Sequence, residues 1–112
     1  MIRTATLAAF ATLLLGAAVA PVAQAASEAE LERMSSLALL LGRGIGCNLE
    51  TKRASAVIGS WFDQTFPPGS GEQERYLPVF AEKVEQHARE QRSGDSPDSC
   101  ADIANAFYTM RW

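Results

Sequence analysis

The chain has 112 residues, 47% of them hydrophobic, with two cysteines, 10 basic and 13 acidic side chains and a net charge of −3. That length holds one domain. The mildly acidic balance argues against nucleic-acid binding driven by positive charge, so no nucleic-acid partner is expected. The average conceals a division. Residues 1–25 hold 18 hydrophobic residues and a single charged one, Arg3, whereas residues 26–112 hold 22 charged residues, about a quarter of that segment.

The first segment has the layout of an export signal. Met1-Ile2-Arg3-Thr4 is a short positive start. From Leu7 to Ala20 the chain is apolar except at Thr12 and Gly16, and Pro21 ends the run. Ala23-Gln24-Ala25 then supplies the small residues that a signal peptidase reads. Cleavage is expected after Ala25, so residues 1–25 are read as a signal peptide and 26–112 as the mature domain. An uncleaved anchor would need about 20 apolar residues, and this run is shorter. The first cysteine, Cys47, lies too far along for lipoprotein anchoring at the cleavage site. No later segment is apolar enough for a stable membrane span, so a periplasmic or secreted protein is expected.

The mature segment has 87 residues and carries 9 basic against 13 acidic side chains, a net charge of −4. A domain of this size is marginally stable on core burial alone. In an exported chain, two cysteines are most simply one disulfide, Cys47–Cys100. Closing that loop contributes about 4 kcal/mol in the chain-entropy picture. Redox pairs usually lie close, as in C-x-x-C, and a metal site would need more ligands than the one histidine, His87, supplies. No metal or other cofactor is expected.

Four helices follow in order. Ser27-x-x-Glu30 is a capping box opening the first, and Leu31, Met34, Leu37, Ala38, Leu41 and Ile45 recur at helical spacing. Gly42, Gly44 and Gly46 predict a weakened, flexible end near Cys47. Asn48 is placed as the cap of a second helix with Ala54, Val57, Ile58, Trp61 and Phe62 on its apolar face, Phe66 following as an optional member, stopped at Pro67-Pro68-Gly69-Ser70-Gly71. Ser70-x-x-Gln73 caps a third helix ending near Arg92, with Tyr76, Leu77, Phe80, Val84 and Ala88 as its stripe. Pro78 either kinks this helix or moves its start to about Leu77. Ser96 with Pro97 is placed at the start of a fourth helix, whose buried stripe is Cys100, Ile103, Ala104, Phe107 and Met110. With no strand-like alternation, the fold class is all-α, a small four-helix bundle tied by one disulfide.

No catalytic residues are assigned. Gly59-Ser60-Trp61 is not the G-x-S-x-G nucleophile elbow. Gly42-Arg43-Gly44-Ile45-Gly46 follows a helix and lacks the ending of a phosphate loop. His87 reads as a boundary residue on a charged helix, and Glu28/Glu32 and Glu82/Glu85 as solvated faces; Glu85 and Arg89 form an i,i+4 pair. Eight aromatics in the mature segment are many for so small a bundle. Trp61, Phe62, Phe80 and Phe107 are assigned to the core. Phe66, Tyr108 and the terminal Trp112 are the candidate exposed patch for a protein partner.

A cleaved signal, a short helical mature chain and the two cysteines Cys47 and Cys100 resemble small periplasmic proteins of Gram-negative bacteria, among them the acid-stress chaperones of the HdeA/HdeB type. The Leu41-Gly42 segment before the first cysteine, with Trp61 in the next helix, is similar to a group of uncharacterised small secreted proteins. The missing catalytic constellation together with the surplus of aromatics points to a non-enzymatic binding or chaperone-like role, and the resemblance relates it to envelope stress. The alternative is a pilotin-like structural or assembly adaptor that holds one envelope partner. A small enzyme or enzyme inhibitor ranks last.

Overall fold

The computed structural model describes residues 26–110. The signal-like segment 1–25 and the candidate contact Trp112 lie outside the described residues. Four helices follow one another, α1 (Glu28–Gly46), α2 (Lys52–Thr65), α3 (Gly71–Ser93) and α4 (Cys100–Thr109), and the described residues form no strand. The chain is an all-α bundle. Its main contact joins α1 to α3, with α4 packed on α1 and α2 touching both long helices.

The capping box forms as its sequence requires. Ser27 Oγ accepts from the Glu30 amide at 3.1 Å, and the Ser27 amide donates to Glu30 Oε1 at 2.9 Å. Met34, Leu37, Ala38 and Leu41 are buried along the face this start directs inward. The glycines do not loosen the end of α1; the helix continues through Gly46. Their role is close approach. A Cβ on Gly42 would lie 2.6 Å from both His87 Cβ and the Val84 carbonyl oxygen of α3. One on Gly46 would lie 2.6 Å from Gln91 Cβ, and one on Gly44 would lie 2.9 Å from the Phe107 ring of α4. The three glycines form a slot that receives two helices, and the expectation of a flexible end is corrected accordingly.

Asn48 ends α1 and does not start α2. It takes the left-handed conformation, with φ 61°, which asparagine tolerates better than most residues. The Asn48 amide donates to the Ile45 carbonyl at 3.0 Å and the Leu49 amide to the Gly44 carbonyl at 2.9 Å. This is the Schellman arrangement with asparagine in the usual glycine place. α2 begins four residues later, where the Glu50 carboxylate accepts from the Lys52 amide at 2.8 Å. It ends before Pro67, which restricts the residue preceding it.

α3 starts where its cap predicts, with Ser70 Oγ accepting from the Gln73 amide at 3.2 Å, and closes on Gly94 at φ 84°. It runs through Pro78 without a break. The ring is at an exposed position, and it removes the N–H that would otherwise serve the Glu74 carbonyl and crowds that same carbonyl. α4 is capped by Ser99, whose Oγ accepts from the Asp102 amide at 3.1 Å. Ser96 instead binds the Asp98 amide inside the loop, at 3.0 Å. Cys47 caps α1 and Cys100 opens α4, and the two are joined in a disulfide with Cα atoms 5.6 Å apart. Cys100, expected on the buried stripe of this helix, is exposed; burial on α4 begins at Ile103.

Candidate binding groove

Phe66 does not belong to an exposed patch. It is only 2% exposed, and its ring stands 5.7 Å from Phe62 and 5.2 Å from Tyr76. Phe62 meets Phe80 at 5.0 Å, so these rings form the core between α2 and α3. Gln73 fixes the corner by donating to the Phe66 carbonyl at 2.7 Å and to Asp63 at 3.0 Å. Stopping α2 at Pro67 turns Phe66 inward. Tyr108, by contrast, is 61% exposed on α4, resting edge-on against Phe107 at 5.7 Å. Among the described residues α2 and α4 make no contact, so Phe66 and Tyr108 do not share a surface.

The apolar surface lies elsewhere, along α3. Glycine lets α1 approach α3 closely on one side, while on the other Leu41 and Ile45 stand back from Phe80, Ala81, Val84 and Ala88. They leave a hollow of about 480 Å³, with Glu85 and Arg92 at its rim. Toward the start of α3, Leu41 and Phe80 also line a hollow of about 330 Å³ that reaches α2 at Ile58, Gly59 and Asp63. A third of about 380 Å³ includes Glu74, Leu77, Pro78 and Ala81. The three hollows adjoin, sharing Leu41 and Phe80, Leu77, and Ala81 as lining residues. Leu77, assigned by its spacing to the core stripe, is 46% exposed in this groove. The sequence signal was present, since Leu77, Ala81, Val84 and Ala88 share a helix face; what was not legible is that no fourth helix covers it.

The opposite side of the α1–α3 contact is polar. Arg43, 5% exposed among the glycines, donates through Nη1 to the His87 carbonyl and to Glu90 Oε1, both at 3.0 Å. Its Nε is 3.9 Å from Asp98 Oδ2 and has no hydrogen-bond partner. Glu90 also accepts from Gln86 at 3.2 Å and stands 3.4 Å from His87 Nδ1. The Gln86 amide and the Arg43 guanidinium hold the Glu90 carboxyl below the ordinary glutamate value of 4.5. This cluster joins α1, α3 and the loop before α4 close to the disulfide. His87 is half-buried in it as a boundary residue. Glu28, Glu32, Glu82 and Glu85 are solvated, and Glu85 pairs with Arg89 at 2.8 Å. Among the described residues no group of three His, Cys, Asp or Glu side chains is placed to hold a metal ion. None of the helices described is long and apolar enough to cross a membrane.

No protein-family model matches the chain, and neither the curated proteins nor the solved structures contain a match.

Proposed function

We propose that this chain is an exported, non-enzymatic binding protein that shields an apolar segment of a protein partner, in a chaperone-like or adaptor role within the envelope. The observation that carries the reading is the row of mainly apolar hollows along α3, with Leu77 46% exposed in one of them. Exposed apolar surface of this kind commonly marks an interaction site. The signal-like residues 1–25 support export, and so does the disulfide, which persists in oxidising compartments. A groove with one wall in α1 and one in α3 favours the adaptor form, because it suits a helix laid alongside them.

The test is light scattering from an unfolding client enzyme, combined with photo-crosslinking from position 81 in intact cells. The wild type is expected to suppress aggregation or to form a discrete crosslinked complex. Ala81→Glu, at an exposed position in the groove wall, is expected to weaken protection at least tenfold while the helical circular dichroism is retained. Many crosslinked species identify a chaperone and one stoichiometric species an adaptor. No protection and no crosslink would overturn the proposal.

A further inference from the structure

The two sulfurs of the disulfide stand in opposite surroundings. Cys100 is the first residue of α4, at the positive end of that helix, and it is exposed. Cys47 caps the negative end of α1, its amide turned back to the Arg43 and Gly44 carbonyls, and it is half-buried. A helix N-terminus favours a thiolate and a helix C-terminus disfavours one. A second observation points the same way. Gln91 Nε2 donates to the Asp98 carbonyl at 3.0 Å and to Cys100 Sγ at 3.5 Å. The Asp98 carbonyl only accepts, so the Gln91 amide presents its NH2 there, and the same NH2 meets the sulfur. Gln91 Oε1 is left buried without a hydrogen-bond partner. A disulfide sulfur is a weak acceptor and a thiolate a strong one, so this contact strengthens when the bond opens. Asp98 faces Arg43 across 3.9 Å and Glu90 is bonded to Arg43, whereas Asp102, in the first turn of α4, opposes a thiolate and limits the effect.

We propose that Cys100 is the sulfur through which this disulfide exchanges, with Cys47 as the resolving cysteine. In the reduced chain the Cys100 thiolate attacks a disulfide of an oxidising partner, R–S–S–R′. A Cys100–S–S–R bond forms, the S–S bond of the oxidant breaks and R′–S⁻ leaves. Cys47, deprotonated in turn, attacks Cys100 Sγ, the Cys47–Cys100 bond forms and R–S⁻ leaves. The two thiol protons pass through solvent to the released thiolates, and the oxidant gains the two electrons that the cysteines lose. Reduction retraces this path. An incoming thiolate reaches the exposed Cys100 and must expel Cys47, the thiolate that its helix end disfavours. Expulsion slows as the leaving thiolate becomes more basic. Attack on Cys47 would expel the better leaving group, but Cys47 is the less accessible sulfur. The pair therefore closes readily and opens slowly. This property is independent of what the hollows along α3 bind.

The experiment compares Cys47→Ser and Cys100→Ser, each with one thiol, in their reaction with glutathione disulfide at neutral pH, followed by mass spectrometry of acid-quenched samples. Cys47→Ser, which keeps Cys100, is expected to take up glutathione about tenfold faster than Cys100→Ser. That advantage is expected to vanish in concentrated urea, where the helix ends are lost. Gln91→Ala is expected to slow Cys100 about threefold and to leave Cys47 unchanged. If Gln91 only braced the loop, its removal would loosen α4 and leave the Cys100 rate unchanged or raised, which would refute its role at the sulfur. Equal rates for the two thiols in buffer, a faster Cys47, or an advantage that survives urea overturns the proposal. The oxidised wild type gives a second measurement on a protein whose disulfide starts intact. Brief treatment with reduced glutathione, then alkylation, is expected to leave glutathione on Cys100 and the alkyl group on Cys47. Glutathione found mainly on Cys47, or equally on both, overturns the assignment.

Discussion

Replacing Gly42 with alanine sets two known effects against each other. In an open helix the change stabilises by about 0.5–1 kcal/mol, because the unfolded chain loses freedom and the helix gains a better former. At Gly42 the added carbon would sit 2.6 Å from a backbone oxygen and 2.6 Å from a Cβ, neither of which rotates away. α1 and α3 must separate locally, with a packing cost of about 1–3 kcal/mol. The net is a loss of up to about 2.5 kcal/mol, or a fall in Tm of up to roughly 20 °C for a domain of this size. Gly59 is the control. It lies within α2, is exposed, and has nothing within 4 Å of an added Cβ, so Gly59→Ala is expected to stabilise. Thermal and urea unfolding of both variants with the disulfide intact checks the pair. If Gly42→Ala is as stable as Gly59→Ala, the glycine slot is not what sets the α1–α3 distance.

Three further predictions bear on the polar corner, the caps and the staple. The lowered Glu90 value means that its stabilising contribution is complete above the unfolded glutamate value of 4.5 and is lost as pH falls toward the lower folded value; Glu90→Gln is expected to flatten that part of the acid unfolding curve, measured by circular dichroism against pH, and an unchanged curve would remove Glu90 from the acid response. Ser99→Ala is expected to cost about 1 kcal/mol in urea unfolding, and Ser96→Ala less, since Ser99 caps α4 and Ser96 only braces its loop; equal losses would contradict the assigned start of the helix. Replacing both cysteines with alanine is expected to cost about 4 kcal/mol in the chain-entropy picture, with α4 the first element to lose protection in hydrogen exchange, because its buried anchors are only Ile103 and Phe107.

The parts of this fold legible in the sequence are those governed by neighbours along the chain. The Ser27 and Ser70 caps, the apolar faces of α1 and α3 and the Glu85–Arg89 pair each depend on residues no more than a few positions apart. What was not legible depends on residues far away. Gly42 and Gly46 carry the same local signal whether a helix frays or receives another helix, and the deciding atoms belong to Val84, His87 and Gln91, some forty residues on. Arg43 looks like an ordinary charged residue until α3 and the Asp98 loop close over it. Phe66 follows the apolar face of α2 yet stands beside two prolines, a context that fits exposure equally well. Asn48 and Ser96 are chemically sound caps that the backbone did not use, since Asn48 was taken for a left-handed turn and Ser99 lay closer to the helix. Leu77 was placed on its correct stripe, but whether that stripe meets another helix or solvent is a property of the whole bundle.

The pairing of α1 with α3 also governs how the chain reaches its native state. These helices are separated by all of α2, so Gly42 cannot meet Val84 until a loop of about forty residues has closed. Each long helix has only a smaller contact with α2, its neighbour in sequence, and the entropy of that closure must be met before the main interface returns any stability. A disulfide formed early between Cys47 and Cys100 shortens the search, because it holds the end of α1 near the chain that follows α3. The oxidised protein is therefore expected to fold faster than the reduced one, as well as being more stable. Mutations at Gly42, in the contact that must form across the loop, then act on the folding rate, whereas those in α4 act mainly on unfolding.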